Sequence, residues 1–249
     1  MLVSAHPPTA GFEHDLDLVR ASADQLVHDV TLLDEAALAG ASLLPGWTRA
    51  HLVGHLIGNA EGLTRLAQWA STGTPTPQYA DQQQKDAGIA DAVGVCADAL
   101  AARLRAATDA FVAAARGLTP GQQATRVRLG IAAQGREITA AELPWRRLVE
   151  QEVHNVDLAG AYTPAHWSPE LVDRLLTETS EHYLTGSDVP PMNLEALDGD
   201  WAATCGDPSS RTTVAGPAPA LLAWLAGRSS GEGLHVDPTG PLPDLPPWF

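Results

Sequence analysis

Residues 142–164 read ELPWRRLVEQEVHNVDLAGAYTP, and the rest of the chain is best organised around them. Pro144 suits the first turn of a helix, where no N–H is needed. No breaker follows until Gly160, and Pro164 lies just beyond, so the spacing predicts a helix ending near Gly160. Glu150 and His154, four residues apart, share one face of it. With Glu150 at zero and about 100° per residue, His154 lies roughly 40° away and Asp157 about 20° away. Glu152 falls about 200° round, on the opposite side. A carboxylate and an imidazole one turn apart make half of a metal site, the remaining ligands coming from elsewhere. The same pair also suits a solvated surface contact.

Working outward, residues 12–39 place Leu16, Val19, Ala23, Leu26, Val30 and Leu33 at alternating spacings of three and four, the signature of an amphipathic helix. After the turn at Leu43–Trp47, Thr48 is the expected N-cap of a second helix over about 48–71. There Leu52, Leu56, Asn59, Leu63, Leu66 and Ala70 lie within about 40° of one line. His55 sits roughly 60° off that line and His51 about 100° off, while Glu61 and Arg65 point away. A loop rich in Pro, Thr, Gln and Asp runs from Ser71 to about Gly88. A third long helix is expected over 90–117, with Val93, Ala97, Leu100, Leu104, Phe111 and Ala115 on its apolar side. TRVRLGIAAQGREIT, residues 125–139, alternates around a central Gln-Gly and suggests a short hairpin.

Three long helices, an excursion and a fourth helix predict a mainly α protein, a four-helix bundle over residues 1–166. Residues 167–249 differ. Ser168-Pro169-Glu170 opens a helix to about Leu184. More than half of the 19 prolines follow, among short strand-like runs at 201–204 and 211–215 and one helix over about 217–226. This predicts a smaller α+β C-terminal domain.

Composition narrows the function. Alanine and leucine abound and only 5% of residues are aromatic, which favours helices. A net charge of −15 over 249 residues argues against nucleic-acid and anionic-membrane partners. Any anionic substrate then needs local cations. Two cysteines, Cys96 and Cys205, are too few for a disulfide framework or a Cys-based zinc site. No apolar run approaches transmembrane length, and the first residues lack a basic region followed by an apolar one. A cytoplasmic monomer is expected.

His55, Glu150 and His154 would offer zinc three ligands from two helices, with a fourth position open. His51 and His55, also four apart, are a rival pair. Arg146 and Arg147 straddle the Glu150 face and are candidates for a dicarboxylate substrate, while Arg228 ends a helix whose dipole it also suits. No HExxH, P-loop, GxGxxG or GxSxG motif is present.

Three stretches carry a resemblance. GWTRAHLVGHLIGNAEGL (46–63), GREITAAELPWRRLVEQEVHNVDL (135–158) and VAGPAPALLAWLAGR with LPDLPPWF (214–228, 242–249) resemble the mycothiol-dependent maleylpyruvate isomerase family, within the DinB-like metalloproteins. The resemblance implies a DinB-like bundle, zinc on His55, Glu150 and His154, and mycothiol as the low-molecular-weight thiol. It implies a catalytic role for Arg228, the arginine of the WLAGR motif, in handling a dicarboxylate. The implied activity is isomerisation of maleylpyruvate to fumarylpyruvate in gentisate degradation. Mycothiol brings the sulfur, so neither cysteine of the chain is needed. Asn155 and Gln151-Glu152 depart from the family's usual residues, at positions that bear on pocket lining. A mycothiol S-transferase would share the same metal site, and a non-catalytic metal- or ligand-binding bundle is the reading from another class.

Overall fold

The computed structural model describes residues 11–132, 134–185, 189–207 and 212–246, which fall into two compact units divided between Ala161 and Tyr162, ahead of the boundary expected after 166. The architecture is mainly α. In the first unit the helices are α1 Phe12–Thr31, α2 Glu35–Ala39, α3 Arg49–Thr72, α4 Gln82–Ala90, α5 Ala97–Arg116, α6 Pro120–Gln123 and α7 Leu143–Asp157. A hairpin of β1, Arg126–Leu129, and β2, Arg136–Thr139, precedes α7, pairing Val127 with Ile138.

The bundle is built from α1, α3, α5 and α7. Each of α1 and α3 packs on both α5 and α7, so α1 and α3 occupy opposite corners. The predicted stripes are the core: Leu16, Val19, Ala23, Leu26 and Val30 of α1, Leu52, Leu56, Leu63 and Leu66 of α3, and Leu100, Leu104 and Phe111 of α5 are all fully buried.

Three boundaries differ from the expectation, each for a local reason. The first helix stops at Thr31, because the Asp34 carboxylate accepts the Ala37 N–H at 2.7 Å and caps a separate α2. The third starts at Ala97 rather than 90, which leaves Val93 in a turn, 52% exposed, instead of on an apolar face. The Gln-rich part of the predicted loop forms α4, capped by Asp81 accepting from Gln84 N. At the end of α7 the chain reverses at Ala159, a non-glycine residue with φ of 53°, rather than at Gly160.

Two tethers fix α3 against α7 where the candidate ligands lie. Leu43 N–H donates to the Asp157 carbonyl at 2.9 Å, and the Arg49 side chain donates to the Leu158 carbonyl at 2.5 Å. The turn before α3 therefore docks on the last turn of α7.

The second unit holds α8, Pro169–Thr185, α9, Ala218–Leu225, and a four-stranded sheet. Its strands are β3 Met192–Ala196, β4 Ala202–Cys205, β5 Thr213–Gly216 and β6 His235–Asp237, in the order β4-β3-β5-β6. β3 and β5 run parallel and the other pairs antiparallel. Both helices pack on the sheet and on each other. The first ten residues of the chain, Arg211 of the expected run 211–215, and Pro247, Trp248 and Phe249 of LPDLPPWF lie outside the described residues.

Candidate metal centre

The two bundle helices bring His55, Glu150 and His154 together. His55 Nε2 lies 3.0 Å from Glu150 Oε2, and His154 Nε2 lies 3.4 Å from the same oxygen. Donor atoms of all three fall within 4.8 Å of one another. Zinc bonds of about 2.0–2.2 Å in a tetrahedral shell place neighbouring donors roughly 3.3–3.6 Å apart, so this spacing fits a single divalent ion. The two imidazoles meet edge to face, centroids 5.0 Å apart. Among the described residues this is the one such group of His, Cys, Asp or Glu.

Asp157 has a definite place. Its carboxylate, fully buried, lies 2.8 Å from His154 Nδ1. That contact holds the ring's proton on Nδ1 and turns Nε2 toward Glu150, the arrangement in which a carboxylate orients a ligating imidazole. His55 is held differently. The Trp47 ring packs edge-on at 5.5 Å, while His55 Nδ1 is buried without a partner among the described residues.

His51 does other work. Its Nδ1 accepts the Thr48 N–H at 3.3 Å while the Thr48 hydroxyl accepts the His51 N–H at 3.3 Å, a reciprocal cap on α3. The rival histidine pair therefore does not form a clip. Glu152 stays outside the group.

The arginines divide too. Arg147 is fully buried and spans three helices. Its Nη1 donates to the Leu56 carbonyl and to Asn59 Oδ1 at 2.9 and 3.0 Å, and its Nη2 donates to Thr108 Oγ1 at 3.1 Å. It is a structural brace rather than a free substrate clamp. Arg146 lies 3.6 Å from Glu142. Arg65 does not simply point away, since its guanidinium holds the Gln78 carbonyl. Arg228 belongs to the second unit and lies three residues past α9, beyond the turn at Gly227 rather than at the helix end expected, and its Nη1 donates to the Ala226 carbonyl at 2.7 Å.

Electrostatics separate the three donors. Burial alone would raise the Glu150 pKa, but hydrogen bonds from His154 and His55 outweigh it and hold the carboxyl well below its ordinary value of 4.5. Burial lowers the His55 pKa. Burial also works to lower that of His154, yet its bonds to Asp157 and Glu150 raise it above 6.5.

A metal needs both imidazoles neutral. As pH falls below the raised His154 value, affinity should weaken by about tenfold per unit, with one proton released per ion bound. Above that value affinity should level off, and Glu150 stays ionised throughout. Zinc titrations between pH 6 and 9, in buffers of differing ionisation enthalpy, measure that proton. In the metal-free chain the charged His154 stabilises the fold below pH 6.5, a contribution lost as pH rises through its raised value.

The fold and donor set define a class: a helical bundle with a candidate metal centre between neighbouring helices. The family model for the mycothiol maleylpyruvate isomerase N-terminal domain matches residues 19–159, and the chain belongs to that family. The crystal structure of the mycothiol-dependent maleylpyruvate isomerase is 26% identical, with a TM-score of 0.86 over 95% of this chain and 97% of that one. A histidine-to-alanine mutant of that enzyme is 25% identical, with a TM-score of 0.85 over the same shares. Comparison with curated proteins finds no match. Among the described residues, no helix is long and apolar enough to cross a membrane.

Proposed function

We propose that this chain is a cytoplasmic, mycothiol-dependent isomerase that converts maleylpyruvate to fumarylpyruvate, with zinc held by His55, Glu150 and His154. The convergence of two imidazole nitrogens on one carboxylate oxygen, in a chain of this family, carries the reading. The donor set suits zinc: two neutral nitrogens, one carboxylate, and room for a fourth ligand. When bound, such an ion supplies positive charge that favours the thiolate form of the co-substrate's sulfur at neutral pH.

The chain's own residues prepare that environment. Asp157 keeps a proton on His154 Nδ1, leaving Nε2 free to donate its lone pair. Glu150 remains ionised at all working pH values. The thiolate sulfur of mycothiol adds to the alkene carbon β to the ketone, and the electron pair of the C=C bond moves to the ketone oxygen as an enolate. The former double bond is now single and rotates. Collapse of the enolate expels the thiolate and restores the alkene in the trans form, with no net change in oxidation state. Arg228, through the WLAGR motif, is assigned to the substrate's carboxylate and the enolate charge.

The test is a turnover assay with zinc-loaded chain, maleylpyruvate and mycothiol, following alkene geometry by proton coupling. Trans product only in the presence of mycothiol is expected. Turnover without the thiol overturns the reading, and a stable thiol adduct as end product marks a transferase instead.

A further inference from the structure

The segment between α3 and α5 touches α3 closely at two glycines. A Cβ on Gly62 would lie 2.5 Å from Gln78 Cγ, and one on Gly54 would lie 2.7 Å from the Ile89 carbonyl oxygen. At Gly58, midway between them and one turn beyond His55, a Cβ would meet nothing within 4 Å. The segment therefore leans on α3 at both ends and leaves open space at Gly58, beside the candidate metal centre.

Two polar side chains sit on this arch. Tyr79 is only 6% exposed. Its backbone is pinned, since the Ala132 N–H donates to the Tyr79 carbonyl at 3.0 Å, and its neighbour Gln78 accepts from Gly130 N–H and from Arg65. The Tyr79 hydroxyl has no hydrogen-bond partner among the described residues. Lys85 lies one helical turn before Ile89, whose carbonyl rests on Gly54, and its ammonium lies against the Tyr79 ring, so the pair falls on the stretch of α3 that holds His55 and Gly58. Burial first, and then the Glu150 charge, push the phenol pKa up, so it remains an O–H donor at neutral pH.

Lys85 is the chain's only lysine. It is half-buried, its Nζ 5.7 Å from the centroid of the Tyr79 ring, and its charge reaches His55. No carboxylate among the described residues pairs with it. In a chain of net charge −15, a half-buried cation left without a carboxylate marks a place kept for an outside anion.

We propose that Lys85 and Tyr79 form an anion subsite beside the candidate metal centre, which takes one carboxylate of the substrate. The ammonium supplies charge and the phenol donates an O–H. The identity of that substrate rests on the isomerase reading; the subsite's chemistry, a carboxylate, does not.

Calorimetric titration of the zinc-loaded chain with maleate, a dicarboxylate that cannot react without thiol, tests it directly. Lys85→Met should weaken maleate binding by about 10- to 100-fold, the range for a lost charge-assisted hydrogen bond. Tyr79→Phe should weaken it by about fivefold, and Lys85→Arg should retain most of the affinity. Zinc content and thermal midpoint should match the parent in all three. In turnover, KM for maleylpyruvate should rise by the same factors while KM for mycothiol stays put. Maleate affinity unchanged by Lys85→Met, or absent in the parent chain, overturns the proposal whatever the activity. Lys85-dependent maleate binding in a chain that does not isomerise maleylpyruvate upholds the subsite and sinks the isomerase reading instead.

Discussion

Replacing His55 with alanine is expected to leave a folded bundle that holds zinc at least about 100-fold more weakly and no longer turns over maleylpyruvate. Loss of a residue that merely orients a ligand typically lowers metal affinity by about 10- to 100-fold, and loss of a ligand exceeds that. His55 is the only member of the group contributed by α3, so its removal leaves two donors from one helix. The informative control is His51→Ala, one turn earlier on the same helix. His51 closes the cap at Thr48, so that variant should keep its zinc and lose about 1 kcal/mol of stability. Zinc content after dialysis and urea midpoints for both variants decide the matter. A His55→Ala chain that retains stoichiometric zinc would remove this residue from the ligand set.

The second large effect concerns stability. Arg147→Ala is expected to destabilise the first unit by about 3–5 kcal/mol, from two buried acceptors left unpaired and a large cavity. The guanidinium is fully buried, and burial brings its pKa down to about 10, so it still carries its charge at neutral pH. Its removal leaves Asn59 Oδ1 and Thr108 Oγ1 without their donor and opens a cavity among α3, α5 and α7. Arg147→Met should be milder, because it refills the volume and relieves the burial of a charge. Urea unfolding monitored by circular dichroism separates these outcomes. An alanine variant within about 1 kcal/mol of the parent would show that the brace is dispensable.

Much of this architecture was legible in the sequence because hydrophobic period and helix length coincide. The wheel positions that excluded Glu152 and favoured His55 over His51 depend only on 100° per residue, and α3 and α7 are regular enough to obey it. Asp157 was visible as a third member of the Glu150 face, though its bond to His154 was not. From the sequence Arg147 looks available to substrate, whereas the fold buries it completely. The signal against that was Asn59, a polar residue in the middle of the buried stripe of α3, which needs a partner and finds it in Arg147. Helix α4 is not legible in the sequence, because its face is polar and it is held by a cap and by contact with Gly54, neither of which has a period. Tyr79 and Lys85 belong to the same stretch: what matters about them is where the arch rests on α3, and only tertiary contact specifies that.

The bond between His55 and Glu150 joins residues 95 positions apart in the chain. An ion bridging them would bind the folded bundle far better than the unfolded chain, where these donors are far apart, so its binding free energy would add to that of folding. Under the zinc reading, one donor group then links stability to metal supply: a chelator should lower the thermal midpoint and excess zinc should raise it.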